Sequence, residues 1–508
     1  MSRPELLAGD PHDDALRAAV APPDWANPRP AGRYDLLVLG GGTAGLVAAA
    51  GAAGLGARVA LVERKLLGGD CLNHGCVPSK ALLRAAKAVG EIRAAGRLGV
   101  AAGEPAADFA AVMERMRRRR AGIADHDGAE RFRSLGVDVF LGSGRFTGPA
   151  SAEVATAAGE VLSLRFKRAL IATGARPAAP PVPGLAGSGY RTNLTLFTLT
   201  ELPRRLVVVG GGPIGVEMAQ AFARFGSRVT ILSLDERLLP REDPEAADLL
   251  HRSLERDGVR LELCAALAEV RRGPDGVTAV ARRGEEMVEA TGDELLLAAG
   301  RTPNTEDLGL EAAGVRLGRR GVEVDDRLRT SNRRIFAAGD VAGSWQFTHA
   351  ADAMARIVLR NAFFFGRGRL SALSMPWCTY TMPEIAHTGL YEHESERAGT
   401  ELACLRLGFE EIDRALLDEE SEGFAKVIYE RRSGRLRGAT VVAPHAGELI
   451  GEMLLPVARR LPVTALSGLI HPYPTQVSVW GRLGDLAMRA KLTPRAARVL
   501  RRIIRLRR

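Results

Sequence analysis

Cysteine is scarce, with five residues in a chain of 508. The count is odd and Cys264, Cys378 and Cys404 are scattered, which excludes a secreted disulfide framework. Only Cys71 and Cys76 lie close together, so any disulfide is expected to be catalytic and the compartment a reducing cytoplasm. No second Cys/His cluster with ligand spacing accompanies them, so no metal site is expected. Residues 1–33 contain acids, proline and glycine but no apolar core segment, hence no secretory signal and a flexible lead-in. Leu36 to Ala57 carries no charge and is long enough for a membrane span, but seven of its residues are glycine. The last twenty residues carry no acid at all.

The chain is too long for one ordinary core, so two to four domains are expected. Apolar residues make up 46% and charged residues 26%, a globular composition. The formal charge is +10, and Arg489 to Arg508 supplies eight Arg and one Lys of it. The rest of the protein is nearly balanced.

The glycine-rich stretch has the logic of a strand, a turn and a helix. Tyr34–Leu39 reads as a strand, Gly40-Gly41-Gly42-Thr43-Ala44-Gly45 as the turn, and an Ala-rich helix follows. Arg58–Val62 is the next strand, ended by Glu63. This is the dinucleotide-binding βαβ start: Gly40 for the tight turn, Gly42 for the pyrophosphate, Gly45 for close helix packing, Glu63 for a ribose. The pattern recurs 170 residues later. Arg205–Val209 precedes Gly210-Gly211-Gly212-Pro213-Ile214-Gly215, then a helix through Phe225 and the strand Arg228–Leu232. The position matching Glu63 is Ser233, which removes a carboxylate that would repel a 2′-phosphate. Arg228 and Arg237 are nearby cations in sequence, as are the acids Asp235 and Glu236, and the balance leans to NADPH over NADH.

Strand ends running into glycine turns follow at Thr173-Gly174, Gly300-Arg301 and Gly339-Asp340. Asp340 can bond a sugar alcohol or cap a helix. After about Ser371 the texture changes to two strands (424–429 and 436–442) and a helix over 448–460. The Arg117–Arg120 run reads as the exposed side of a helix.

Cys71 and Cys76 stand directly after the first unit, in Gly68-Gly69-Asp70-Cys71-Leu72-Asn73-His74-Gly75-Cys76-Val77-Pro78-Ser79-Lys80. In a regular helix, positions five apart are separated by about 7.5 Å along the axis. A disulfide wants Cα atoms within about 7 Å. A bridge therefore needs a distorted helix start, which Gly75 permits. The helix N-terminus and Lys80 would stabilise thiolates there.

Together these motifs resemble the FAD-dependent pyridine nucleotide–disulfide oxidoreductases, over about Tyr34 to Ser478. Stretches such as Gly300-Arg301-Thr302-Pro303-Asn304-Thr305 and Ala443-Pro444-His445-Ala446-Gly447-Glu448 are closest in pattern to the mercuric-reductase branch. The resemblance implies an α/β protein of two Rossmann-like domains and an α+β C-terminal dimerisation domain. It places a flexible extension at 1–33, the FAD domain at 34–176 and 302–370, the NAD(P) domain at 177–301, the interface domain at 371–489 and a basic tail at 490–508. It implies a homodimer in which reducing equivalents pass from NADPH (or NADH) through FAD to the disulfide. Cys71 would meet the acceptor, Cys76 would face the flavin, and Lys80 would pair with Glu217. Gly40, Gly42, Gly45, Glu63, Lys80, Thr173, Gly174 and Asp340 would serve FAD; Gly210, Gly212, Gly215, Ser233, Gly300 and Arg301 would serve NAD(P). The acceptor would be a small molecule or metal ion, of mercuric-reductase type, the alternative being a dihydrolipoamide-dehydrogenase-like enzyme.

The sequence departs from the family at the base. Where other branches carry His, with Glu five positions on, this chain has Tyr473 and Ser478, and His471 lies two residues earlier. Tyrosine is a poor base near neutral pH, which argues against the alternative. Cys71 is the first cysteine and Cys404 the last, unlike mercuric reductases with a C-terminal cysteine pair.

Pro494 can begin a helix to Arg508, with Ala496, Val499, Leu500, Ile503 and Ile504 on one face. Such a helix over 494–508 suits peripheral contact with an anionic membrane; a solvated tail or a helix packed on its own dimer fits the same pattern. Nucleic acid is not expected, because no basic–aromatic interleaving accompanies the cations.

Overall fold

The computed structural model describes residues 5–30, 32–343 and 345–507. The chain forms two compact units, one of Met1–Val89, Ala106–Glu236 and Gly258–Leu373, the other of Gly90–Pro105, Arg237–Asp257 and Ser374–Arg508.

In the first unit, alternation gives way to continuous apolar runs, as a sheet covered on both faces requires. Strands β1 (Arg33–Leu39), β2 (Val59–Glu63), β3 (Val137–Leu141), β4 (Ser143–Gly148), β5 (Ser151–Ala155) and β6 (Val161–Ile171) lie in the order β3-β2-β1-β6-β5-β4. β1 pairs parallel with β2 and β6, and Ile335–Ala337 adds parallel to β6. A second parallel sheet repeats the plan with Arg260–Glu262, Arg228–Leu232, Arg205–Val209 and Glu294–Leu297 in that order. In both sheets the chain reverses direction beside the first strand, at the ends of β1 and Arg205–Val209. Crevices at such switch points are where open α/β sheets bind nucleotides.

Helix α1 (Pro11–Val20) corrects the expected flexible lead-in. Leu16 and Val20 are fully buried, Asp10 caps the helix through the His12 and Asp13 amides, and Asn27 exchanges bonds with Leu141 of edge strand β3. Helices α2 (Thr43–Gly54), α3 (Gly69–Asn73), α4 (Cys76–Ala94) and α5 (Phe109–Ala124) follow. The Arg117–Arg120 run is also corrected: Arg120 is 0% exposed and Arg117 is buried, each held by an acid of the N-terminal segment. A run of four arginines on a helix spans a full turn, so one of its sides had to face inward.

The second unit holds a five-stranded antiparallel sheet, ordered Pro376–Thr379, Glu384–Gly389, Leu436–Ala443, Phe424–Glu430, Leu402–Gly408. Helices Gly451–Ala458 and Val479–Ala490 cover it, with Trp480 fully buried and its indole N–H donating to Leu449 O. The chain is an α/β protein of two Rossmann-like sheets and an α+β C-terminal unit. Helix Pro494–Leu506 forms as expected and buries no residue. No helix among the described residues is long and apolar enough to cross a membrane.

Candidate active site

The two glycine loops are built alike. A Cβ on Gly45 would lie 1.9 Å from Gly40 O, and one on Gly215 would lie 2.0 Å from Gly210 O. Each helix therefore sits against its own loop as only glycine allows. Gly42 and Gly212 are the residues preceding α2 and helix Pro213–Phe225, and no side chain caps either helix. A Cβ would meet nothing within 4 Å at Gly212, and only the Gly69 Cα, at 3.7 Å, at Gly42. First-turn amides without side-chain partners, facing open space, fit a pyrophosphate. Both dinucleotides implied by the motifs therefore have a cradle in the residues present.

The remaining groups expected to hold FAD converge on the carboxyl edge of the first sheet. Glu63 ends β2, and its Oε2 accepts the Gly41 N–H at 2.6 Å. Burial pushes its carboxyl above the ordinary value, with the Gly41 and Lys65 amides opposing. Thr173 and Gly174 follow β6; the Thr173 hydroxyl donates to Asn304 O, and Gly174 borders open space. Asp340 follows Ile335–Ala337. It caps no helix: its carboxylate lies 3.3 Å from Arg301 Nε, and burial raises its pKa.

Arg301, expected at the NAD(P) loop, is bonded elsewhere. Its Nη1 lies 3.0 Å from Asp70 Oδ2 and its Nη2 donates to Ala175 O. It thus bridges Asp70, next to Cys71, and Asp340. Gly300 beside it borders open space. In the second loop, Ser233 is buried, with backbone bonds to Glu262 and Ala265. Arg228 is corrected: it opens its strand, paired with Arg205, whereas Gly210 follows the other end. Four residues of strand put it about 13 Å from the Ser233 end. It provides no cation there.

The sulfur segment breaks into two helices. Cys71 lies in α3, His74 and Gly75 interrupt, and Cys76 is the first residue of α4. Both cysteines are thiols, and Cys76 is exposed. The Cys71 thiol donates to Cys76, which pulls Cys76 down to about 6 and drives Cys71 well up. Thr348 Oγ1, 3.5 Å from Cys76 Sγ, and Lys80 add to the stabilisation of the Cys76 thiolate. The helix N-terminus acts in the same direction. Lys80 Nζ meets Glu217 Oε2 at 2.9 Å, joining α4 to helix Pro213–Phe225, and Glu217 is buried. The sequence reading missed Thr348, which opens helix Thr348–Phe363, and Asn193, whose amide donates to Asp70 Oδ1 and His74 O. Neither sits in a local pattern that would have exposed it.

His471 and Tyr473 belong to the second unit. His471 Nε2 lies 3.0 Å from Glu452 Oε1, while Tyr473 is 82% exposed and donates to Asp413 Oδ2. The Asp413 carboxylate pushes the Tyr473 phenol above its ordinary value, so the phenol stays protonated.

Two dinucleotide cradles beside a dithiol with one activated thiolate define a pyridine nucleotide-linked dithiol oxidoreductase. Residues 34–355 match the family described as pyridine nucleotide-disulphide oxidoreductase, and residues 375–482 match its dimerisation domain. The chain belongs to that family, whose members use FAD and NAD(P)H. It is 38% identical to a mercuric reductase of Streptomyces lividans over 87% of this chain and 94% of the relative. It is 35% identical to a dihydrolipoyl dehydrogenase of Chlorobaculum tepidum over 88% and 95%. Among solved structures it resembles LpdA from Mycobacterium tuberculosis (TM-score 0.80, 31% identity, 89% and 99% covered). It also resembles the HOCl-induced flavoprotein disulfide reductase RclA from Escherichia coli (TM-score 0.78, 29% identity, 89% and 100% covered).

Proposed function

We propose that the chain oxidises NAD(P)H and delivers the electrons through the Cys71–Cys76 pair to a thiol-reactive acceptor, a soft metal ion or a small disulfide, in the manner of a mercuric reductase. The observation that carries this is the thiolate-stabilised, exposed Cys76 hydrogen-bonded to Cys71 at the start of α4. When bound, FAD supplies a two-electron relay between a nicotinamide and a disulfide. In this reading Gly40, Gly42, Gly45, Glu63, Thr173, Gly174 and Asp340 bind FAD, and Gly210, Gly212, Gly215, Ser233 and Gly300 bind the nicotinamide nucleotide. Arg301 orients Asp70 and Asp340. Residues 34–176 and 302–370 form the FAD domain and 177–301 the NAD(P) domain. Lys80, fixed by Glu217, keeps positive charge near the Cys76 thiolate. Cys71 is the sulfur that meets the acceptor.

Residues 371–489 join two copies as a homodimer in a cytoplasmic enzyme. Ile470 (98% exposed) and Tyr473 are large apolar side chains left bare in this unit, as a surface covered by a second copy would be. The position that carries His in other branches holds the neutral phenol of Tyr473, and His471 is bonded to Glu452 instead of standing there. That favours a metal-ion acceptor, whose reduction makes no product thiols to protonate, over lipoamide. Anaerobic assay of the holoenzyme with NADPH or NADH against Hg²⁺, lipoamide and glutathione disulfide tests this. Turnover is expected to be fastest with Hg²⁺, with NADPH preferred through Ser233. Fastest turnover with lipoamide would overturn the reading in favour of the dehydrogenase-like alternative.

The tail is assigned to an anionic membrane surface by charge complementarity. Helix Pro494–Leu506 buries nothing, carries only cations among its charged residues, and exposes Val499, Leu500, Ile503 and Ile504. Removing residues 494–508 is expected to abolish cosedimentation with phosphatidylserine vesicles while leaving flavin content unchanged. Equal sedimentation of both forms would refute the assignment.

A further inference from the structure

The segment upstream of the family match reaches the sulfur site. Arg120 of α5 is fully buried. Its Nη1 donates to Asn73 O at 2.7 Å, and its Nη2 donates to Asp13 Oδ1 of α1. Asp13 Oδ2 also accepts the Leu7 N–H at 2.8 Å. Arg117 donates to Asp10, the cap of α1. Glu5 Oε2 lies 3.5 Å from His74 Nε2, and Glu5 Oε1 binds Lys65. The Val20 carbonyl at the end of α1 accepts the Leu67 N–H. Asn73 and His74 are the middle of the turn between the two cysteines. The Asn73 side-chain amide ties the turn back to the start of α3, donating to Leu67 O and Gly69 O.

We propose that residues 5–20 form a strap that positions the Cys71–Cys76 turn, with Asp13, Arg120 and Glu5 as positioning residues acting through Asn73 and His74, and thereby sets how readily the two sulfurs pair. The inference rests on the redox reading of the pair. Two thiols form a bridge only when their Cα atoms are held close; α3 ends with the His74 N–H bonded to Asp70 O, and the step across His74 and Gly75 into α4 leans on bonds from outside the turn, from Arg120 and Asn193. A charge-assisted bond to the Asn73 carbonyl supplies that hold. Arg120 makes it only while Asp13 keeps its charge paired; a buried guanidinium without its acid is strongly disfavoured and turns toward water. Glu5 adds a tie at the next residue, its carboxyl held down to about 2 by the His74 hydrogen bond and by Lys65.

The test is the thiol–disulfide equilibrium of the flavin-loaded full chain in glutathione buffers. Two glutathione thiols reduce the Cys71–Cys76 bond to two thiols and leave as one glutathione disulfide, so the ratio at balance gives the effective concentration of one cysteine at the other. Asp13→Asn is expected to lower it about tenfold and Glu5→Ala about threefold. The iodoacetamide reactivity of Cys76, which tracks a thiolate held below the ordinary thiol range by the Cys71 hydrogen bond, should then rise only at higher pH than in the parent. A lower melting temperature with both readouts unchanged would reduce the strap to a structural element and overturn the proposal. Should Asp13→Asn not fold, Glu5→Ala decides, because Glu5 is partly exposed and its lysine partner, Lys65, faces solvent. A parent enzyme that forms no bridge with glutathione would overturn the redox reading itself, and the strap with it.

Discussion

Replacing Cys76 with serine is expected to slow acceptor reduction by about 10³-fold or more while flavin content stays that of the parent. The serine hydroxyl fits the same space at the first residue of α4 and keeps a partner in Thr348. It does not ionise near neutral pH, whereas the Cys71 hydrogen bond holds the Cys76 thiol well below the ordinary thiol value. The variant therefore retains fold and cofactor but loses the group that accepts the Cys71 hydrogen bond as an anion. Anaerobic titration should show the loss directly: the variant takes up one electron pair per flavin fewer than the parent. Cys71→Ser should lose turnover equally, yet keep an ionised Cys76, because a hydroxyl can still donate to it. The two variants thus agree in rate, and only Cys71→Ser keeps a Cys76 thiolate that iodoacetamide can alkylate. Full acceptor turnover in either would remove the disulfide from the catalytic path.

Much of this site was legible because its parts are contiguous. Both glycine loops, their strands and the helix to Phe225 lie where the spacing put them, and the cysteine pair follows the first unit directly. Lys80 and Glu217 meet as the family resemblance implied. What stayed hidden is held together across the chain. Arg301 reaches Asp70 over more than two hundred residues, Thr348 reaches Cys76, and Asp13 reaches Arg120. No periodicity records such pairs. Composition also misled where a partner was out of sight: arginines on α5 read as solvated, yet a charged residue is buried when a second charge is delivered to it. Arg228 failed for a simpler reason. Nearness in sequence along a strand becomes distance in space, since each residue advances the chain by about 3.3 Å.

The paired glycines allow the two nucleotide assignments to be separated in one experiment. Gly45→Ala brings a methyl within 1.9 Å of Gly40 O, and Gly215→Ala brings one within 2.0 Å of Gly210 O. Both contacts are to backbone, so relief requires the helix to move away from its loop. The first-turn amides of α2 or of helix Pro213–Phe225 would then retreat from the pyrophosphate by about an ångström, a displacement that costs on the order of 10²-fold where geometry governs binding. Gly45→Ala is therefore expected to yield protein largely free of flavin, read from the visible absorbance of the purified chain. Gly215→Ala is expected to purify with flavin intact and reducible by dithionite, but to require about 10²-fold more NADPH for half-maximal reduction. Gly54→Ala is the control within α2, since a Cβ there meets nothing within 4 Å and alanine favours a helix by up to about 1 kcal/mol over glycine. It should keep both properties. Loss of flavin in Gly215→Ala with retention in Gly45→Ala would exchange the two assignments. The sulfur pair would then stand beside the nicotinamide cradle, and electron flow from NADPH through flavin to Cys76 would lose its structural order.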